Sequence, residues 1–285
     1  DVGNGNTDTP AFDSGFPVDM RIGKNPNSTE EWYVGNRFMY QVHVKTNSTS
    51  AQVAGSWSKF TYNTGEGATW NAAYQGWMWK RHAGFDVVTY TGNGLNNRQL
   101  IHSLNKTPEM IWSKSRTQTE GWPVYHKDMD TNDFLRLHTA DAVGYNNAMY
   151  EGNPARLPTS TSWQIGNSDW INKNNEEYVA FLFASVDGIS KVGSYDGSGT
   201  DITITTGFQP RFVIIKAYTN NRGWTVMDTL RGWASGNDNK IYLNQADTQQ
   251  NNWNYGEPTA TGFTVSHSQY DINYTGWKYI YYAHA

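Results

Sequence analysis

Histidine and aspartate come close together at one point in this chain. His126 lies two residues before Asp128, and His138 follows ten residues after that aspartate. Such a trio could hold a metal or pass a proton. No nucleophile elbow and no HExxH pattern frames it, and the corresponding places further on carry Met227 and Asn244. No active site is expected there. Lys127 to Asp133 begins like a calcium loop, but it lacks the glycine at the sixth position and has Thr139 where the bidentate glutamate belongs. Asp196 to Asp201 and Asn237 to Asn239 could each hold a loop calcium ion, though neither has a specific pattern, so no cofactor or metal is expected. Sugar hydrolysis needs two facing carboxylates, and Glu109, Glu120, Glu176, Glu177 and Glu257 stand in no motif. The expectation is a protein that is not an enzyme.

Aromatic residues offer a different chemistry, the stacking of a ring on a sugar face. Trp233, Trp253 and Tyr255 lie in stretches rich in Gly, Asn, Asp and Gln, and they are the candidate glycan-binding residues. Trp32, Trp122 and Trp224 have another logic because they recur. Each follows a lysine by eight residues (Lys24, Lys114, Lys216) and precedes a valine by two (Val34, Val124, Val226). Upstream of each lysine is an apolar run, and further upstream a glycine pair: Gly3 and Gly5, Gly92 and Gly94, Gly197 and Gly199. A fixed order of parts at a period near a hundred residues means one supersecondary plan used three times. A job repeated with the plan points to packing for these tryptophans.

Composition narrows the classes. Charged residues are 17% of the 285, aromatics 15%, and the net charge is −4. A nucleic-acid binder needs a basic stripe, which this balance argues against. With no cysteine, disulfides, thiolate zinc sites and cysteine nucleophiles are excluded. No apolar run is long enough to span a bilayer, so membrane insertion is not expected. The chain begins at Asp1 and not at Met, which suggests a segment removed upstream or a piece of a longer product.

The elements that must position these residues read as strands. Phe85 to Tyr90, Ile202 to Thr205 and Phe212 to Lys216 are short, β-branched or aromatic, and bounded by turn formers. The lysine-to-tryptophan spacing predicts a hairpin whose arms are the apolar run and the Trp-x-Val segment. A third strand follows at Val42, Leu135 and Ile241, and closing strands at Tyr74 to Trp79, Tyr178 to Ala184 and Tyr279 to Ala285. The expected fold is all-β, with three tandem antiparallel β-sandwich repeats of jelly-roll or lectin type over 1–82, 83–186 and 187–285. Short joints would fix one against the next. Only Asp1 and Val2 precede the first glycine pair, so the first repeat lacks its opening strand. An upstream segment or a neighbouring subunit is expected to supply it.

Phe85 to Gly94, Pro108 to Ile111, Trp122 to Tyr125, Tyr178 to Ala184, Lys191 to Tyr195, Asp228 to Gly232 and Tyr279 to Ala283 together resemble an uncharacterised β-repeat family. That family is found in structural proteins, often tail or fibre components, of marine bacteriophages and prophages. The likeness covers residues 84 to 285 well and 16 to 81 more loosely. It implies a virion or extracellular location, partners that are copies of itself or other virion proteins, and contact with a host surface glycan. It carries no catalytic residues. Two alternatives stand beside it: a secreted carbohydrate-binding or polysaccharide-active protein, and the subunit of an extracellular filament assembled by strand sharing.

Overall fold

The computed structural model describes all residues except 57, 68, 151–156 and 268. It is all-β, built from several antiparallel sheets, with a short helix at Asp169–Asn172 and a single 3-10 turn at Thr229–Arg231 among the described residues. Three sheets are large. Read from one edge, the first runs Val53–Ala54, Val42–Lys45, Tyr33–Asn36, Met20–Lys24, Gln75–Trp79. The second runs Gly144–Tyr145, Asp133–Arg136, Pro123–His126, Met110–Ser115, Glu177–Phe183, Phe85–Thr91. The third runs Gln250–Trp253, Asp238–Tyr242, Thr225–Asp228, Phe212–Ala217, Lys278–His284, Ser190–Asp196. The order is the same each time, except that among the described residues the first sheet has no strand beyond Gln75–Trp79. Each predicted hairpin is present: Met20–Lys24 pairs with Tyr33–Asn36, Met110–Ser115 with Pro123–His126, and Phe212–Ala217 with Thr225–Asp228.

Strands such as Met110–Ser115 and Phe212–Ala217 are buried at every position. The cause is cover on both faces, since successive side chains point to opposite sides. Met110 and Trp112 enter one core, and Ile111 enters another. Phe212 and Ile214 join the first of these, while Val213, Ile215 and Ala217 face a third. The small sheet of Arg98–Ile101 and Ser162–Ile165 covers the outer face of the second large sheet through Leu100, Trp163 and Ile165. In the third, Phe263 and Val265 of the Gly262–Val265 strand do the same.

The largest core is common property. Met20, Ile22 and Trp77 of the first sheet, Phe85, Trp112 and Phe181 of the second, and Val192, Ile214 and Tyr282 of the third belong to one cluster. Trp79 packs on Phe85, Phe183 and Phe212, and its indole donates to the Tyr282 hydroxyl at 3.0 Å. Separate units with separate cores would not need such contacts. Each large sheet instead shares its inner face with the other two.

The outer face of the first sheet is built differently. Arg21 takes the place that Ile111 and Val213 hold in the sister strands, and it is fully buried. Glu66, equally buried, forms an ion pair with it, and the Trp70 ring lies 4.6 Å from the guanidinium carbon. The apolar cluster on this face is correspondingly small, Ala11, Phe12 and Trp70.

Candidate functional site

Position two along a strand is position two on one face, so the residues after Met20 and Ile22, after Met110 and Trp112, and after Phe212 and Ile214 are inward-facing lysines. Lys24, Lys114 and Lys216 are all fully buried. An ammonium has three protons to donate, and each of these finds three backbone carbonyls. Lys24 Nζ donates to Ser28, Glu30 and Ala246, Lys114 to Thr49, Ser115 and Gln118, and Lys216 to Ala140, Ala217 and Asn220. One carbonyl in every trio, from Ala246, Thr49 or Ala140, comes from a different large sheet's region of the chain. Burial pushes Lys24 and Lys114 down to about 8 and Lys216 to about 7, and nearby carboxylates oppose the shift. With all three donors engaged by carbonyls, the nitrogen is a clamp and not a nucleophile.

The tryptophans repeat the pattern. Trp32 Nε1 donates to the carbonyls of Tyr242 and Gln245 at 2.9 and 3.0 Å. Trp122 Nε1 donates to Lys45 and Ser48 at 2.9 and 3.1 Å, and Trp224 Nε1 to Arg136 at 2.9 Å. A backbone bond returns across each seam, from Gln249 N to Pro26 O, Gln52 N to Arg116 O and Val143 N to Tyr218 O, all 2.7 Å. The first sheet thus reaches the third, the third the second, and the second the first. The cycle closes. The three tryptophans are all but inaccessible, at 1%, 0% and 1% exposed.

One candidate of the sequence reading has its role here. The backbone N–H of Trp122 donates to His138 Nδ1 at 3.1 Å, while the same N–H of Trp32 and Trp224 donates to Asn47 and Asn244 side-chain oxygens at 3.2 and 2.8 Å. His138 is the imidazole version of a repeated acceptor. Burial, with the charges of Arg136 and Lys114, pushes it down to about 4, as an acceptor nitrogen requires. His126 keeps other company, its Nδ1 accepting from the backbone of Asp128 at 3.2 Å.

Of the glycan candidates, Trp233 and Tyr255 are 1% and 2% exposed and lie in the core under the third sheet, Trp233 edge-on to Phe263. Neither has a ring face to offer a sugar, because a turn rich in Asn and Gly folds its aromatics inward wherever a core is at hand. Trp253, on the edge strand of the third sheet, is 59% exposed. The loop carboxylates weighed for calcium have partners: Asp128 pairs with Lys127, Asp201 accepts from His267, and buried Asp238 accepts from the backbones of Ala234 and Tyr255. Glu109 accepts from Ser185, Glu176 from Thr117, and Glu177 pairs with Arg116. Among the described residues no three His, Asp or Glu side chains gather where a metal ion would be held.

Two features had no clear signal in the sequence. Tyr90 stacks on Tyr178 at 5.3 Å, Tyr195 stacks on Tyr279 at 5.1 Å, and the hydroxyls donate to Ile171, Asp169, Ile272 and Tyr270 carbonyls, tying the loop before each closing strand. The Gly92 and Gly197 positions show why glycine recurs, since an added Cβ would lie 2.0 Å from the Lys173 carbonyl oxygen or 2.2 Å from that of Tyr274. The second feature is a cavity of about 360 Å³ beside the Gln75–Trp79 strand.

The profile of a domain of unknown function (DUF7483) matches residues 46–285. No curated protein and no solved structure matches the chain.

Proposed function

Because the chain belongs to the DUF7483 family, a domain of unknown function, its role must be argued from its chemistry, and we propose that it is a structural or host-contact component of a phage particle, a tail-fibre or surface protein. On this reading it consists of three tandem copies of one antiparallel sandwich-like unit, 1–82, 83–186 and 187–285, and works at the virion surface with copies of itself or other virion proteins. The observation that carries the proposal is the closed cycle of seams. All three caged lysines and all three repeated tryptophans are engaged in holding sheets to one another. A chain that devotes its repeated polar groups to cohesion suits a durable building block. The likeness of its motifs to a family of phage structural proteins supports the particle in particular. Immunogold labelling of purified particles with an antibody to this chain tests it. Gold on tails or particle surfaces is expected, and chain found only free in the medium would overturn it.

A secreted carbohydrate-binding or polysaccharide-active protein is the second reading, favoured by the exposed ring of Trp253. A glycan-array signal lost on Trp253→Ala would support recognition, whether on a particle or free. Release of reducing ends from a polysaccharide would support hydrolysis. The third reading, a filament subunit built by strand sharing, is supported by the first sheet's having one strand fewer than its sisters among the described residues.

A further inference from the structure

The loop before the closing strand has one backbone frame in the second and third large sheets. The backbone N–H groups of Lys173 and Tyr274 donate to the hydroxyls of Tyr178 and Tyr279 at 2.9 and 2.8 Å. Those hydroxyls donate in turn to the carbonyls of Asp169 and Tyr270 at 2.6 and 2.9 Å. The carbonyls of Glu176 and Trp277 accept from Gly92 N and Gly197 N, both at 2.7 Å. Asp169 and Tyr270, Lys173 and Tyr274, and Glu176 and Trp277 are therefore equivalent positions. Glu120 and Arg222 make a fourth pair, each two residues before a repeated tryptophan.

The side chains at these four places have changed in kind. Beside the second sheet they are three carboxylates and an ammonium, with a net charge of −2. Beside the third they are three aromatic rings and a guanidinium, with a net charge of +1. The rings gather. Tyr270 stacks on Tyr274 with centroids 4.3 Å apart, and Trp277 lies 5.5 and 5.1 Å from the two. The Arg222 guanidinium carbon is 4.8 Å from the Tyr270 ring and 5.4 Å from that of Trp277. Trp277 rests partly on the core under the third sheet, but Tyr270 and Tyr274 belong to no apolar cluster of the described residues, and Tyr270 is exposed. The sister loop keeps the same frame without any of these rings, so the frame does not require them.

Arg222 supplies a second, independent observation. Among the described residues its guanidinium makes no hydrogen bond and no ion pair, and its Nε is sealed from water without a partner. Asp271, beside Tyr270 in sequence, is already taken by Lys240 and by the Tyr242 hydroxyl, which donates to it at 2.6 Å. The two terminal nitrogens of a guanidinium match the two oxygens of a carboxylate, and an aromatic surface matches the C–H face of a sugar ring.

We propose that Arg222, Tyr270, Tyr274 and Trp277 form a binding site for a carboxylated sugar, a uronate or sialate unit of an acidic glycan. The terminal nitrogens of Arg222 take the carboxylate, and the rings pack against the sugar. The sister loop, with its net negative charge, repels the same ligand. The inference rests on the reading that this chain recognises glycans, on a particle or free, and it names the sugar class and a site apart from Trp253.

The test probes an array with the full chain. The array carries glycans ending in glucuronate, galacturonate or sialate, beside the same glycans with the carboxyl reduced to an alcohol. Signal on the carboxylated members, weaker by about tenfold or more on their reduced forms, is expected for the loss of a charge-assisted hydrogen bond. Arg222→Glu and Tyr274→Lys install the sister loop's own residues. Each should lower the signal by about tenfold or more, while Trp253→Ala leaves it unchanged. If either variant fails to fold, hydroxyl-radical footprinting of the unaltered chain decides, and the strongest carboxylated glycan should protect Tyr270 and Tyr274. Equal signal on the reduced glycans, or binding that leaves both tyrosines unprotected, would overturn the proposal. Loss on Trp253→Ala with Arg222→Glu unaffected would overturn it too and leave glycan recognition standing. No signal on any glycan would remove both. Polyglutamate that competes as well as the carboxylated glycans would overturn the sugar in favour of an acidic peptide.

Discussion

The indole N–H of Trp32 donates to the carbonyl of Tyr242, 210 residues away in sequence, at 2.9 Å. This contact joins the first large sheet to the third and so closes the cycle that the Trp122 and Trp224 indoles continue. Closure makes each seam depend on the others, and the shared core adds to that dependence.

Trp32→Phe removes the donor from two carbonyls and leaves a void in the packed core. A loss of about 2–4 kcal/mol is expected in urea unfolding. Trp253→Phe, at an exposed edge, should stay within about 0.5 kcal/mol. Both proteins should unfold in one transition, coincident by fluorescence and circular dichroism. Separate transitions would show that the three sheets fold independently.

The caged lysines predict a pH dependence. The folded-state value of Lys216, about 7, lies below its ordinary 10.5, so between the two the unfolded chain binds more protons and stability rises with pH. Lys24 and Lys114, at about 8, act in the same direction. Lys216→Met should reduce the rise in urea midpoint between pH 7 and 9.5 by about two fifths, since its folded-state value is the lowest of the three and two cages remain. It should also lower stability at pH 7, because three carbonyls lose their donor. An unchanged rise would mean that Lys216 stays charged throughout that range.

His138 gives the opposite end of the scale. As pH falls from 6.5 toward 4, the unfolded chain takes up the proton first, and stability is lost. His43 and His284, both near 4, act alike, while Asp238, pushed up by burial to about 6, acts against them. The clean measurement is a difference. His138→Asn restores the acceptor found at Asn47 and Asn244. It should cost less than about 1 kcal/mol at pH 7 and lessen the loss between pH 6.5 and 4. A large cost at neutral pH would refute the equivalence of these three positions.

The buried pair of Arg21 and Glu66 predicts non-additivity. Glu66→Leu alone leaves a fully buried guanidinium without its counter-charge and should cost about 3–5 kcal/mol. Arg21→Met combined with Glu66→Leu should recover most of that, and could exceed the original stability by about 1 kcal/mol or more, as apolar replacements of buried ion pairs often do. A double-mutant cycle by thermal or urea unfolding reads the coupling directly.

Much of the architecture was legible in the residues themselves. The eight-residue interval between Lys114 and Trp122 marks a hairpin because two short strands and a turn fill it, and its recurrence at Lys24 and Lys216 marks three such hairpins. The all-β class follows from short β-branched and aromatic runs with turn formers between them. Absent cysteines remove disulfides whatever the fold. These are local properties, set by backbone preference and side-chain alternation, and they need no knowledge of what lies across the core.

Which carbonyl receives the Trp32 indole, which face of Trp233 is covered, and what lies beside Met78 are long-range matters. Trp233 and Trp253 sit in like-looking polar stretches, yet one is sealed under a sheet and the other stands in solvent. In sequence His138 is one of a trio with His126 and Asp128, whereas in the fold the amide of Trp122 makes it an acceptor. Composition and spacing determined that three similar hairpins exist. Only packing decided that they close on one another, because burial and hydrogen-bond partners come from residues brought near by the chain's return and not from those beside them in sequence.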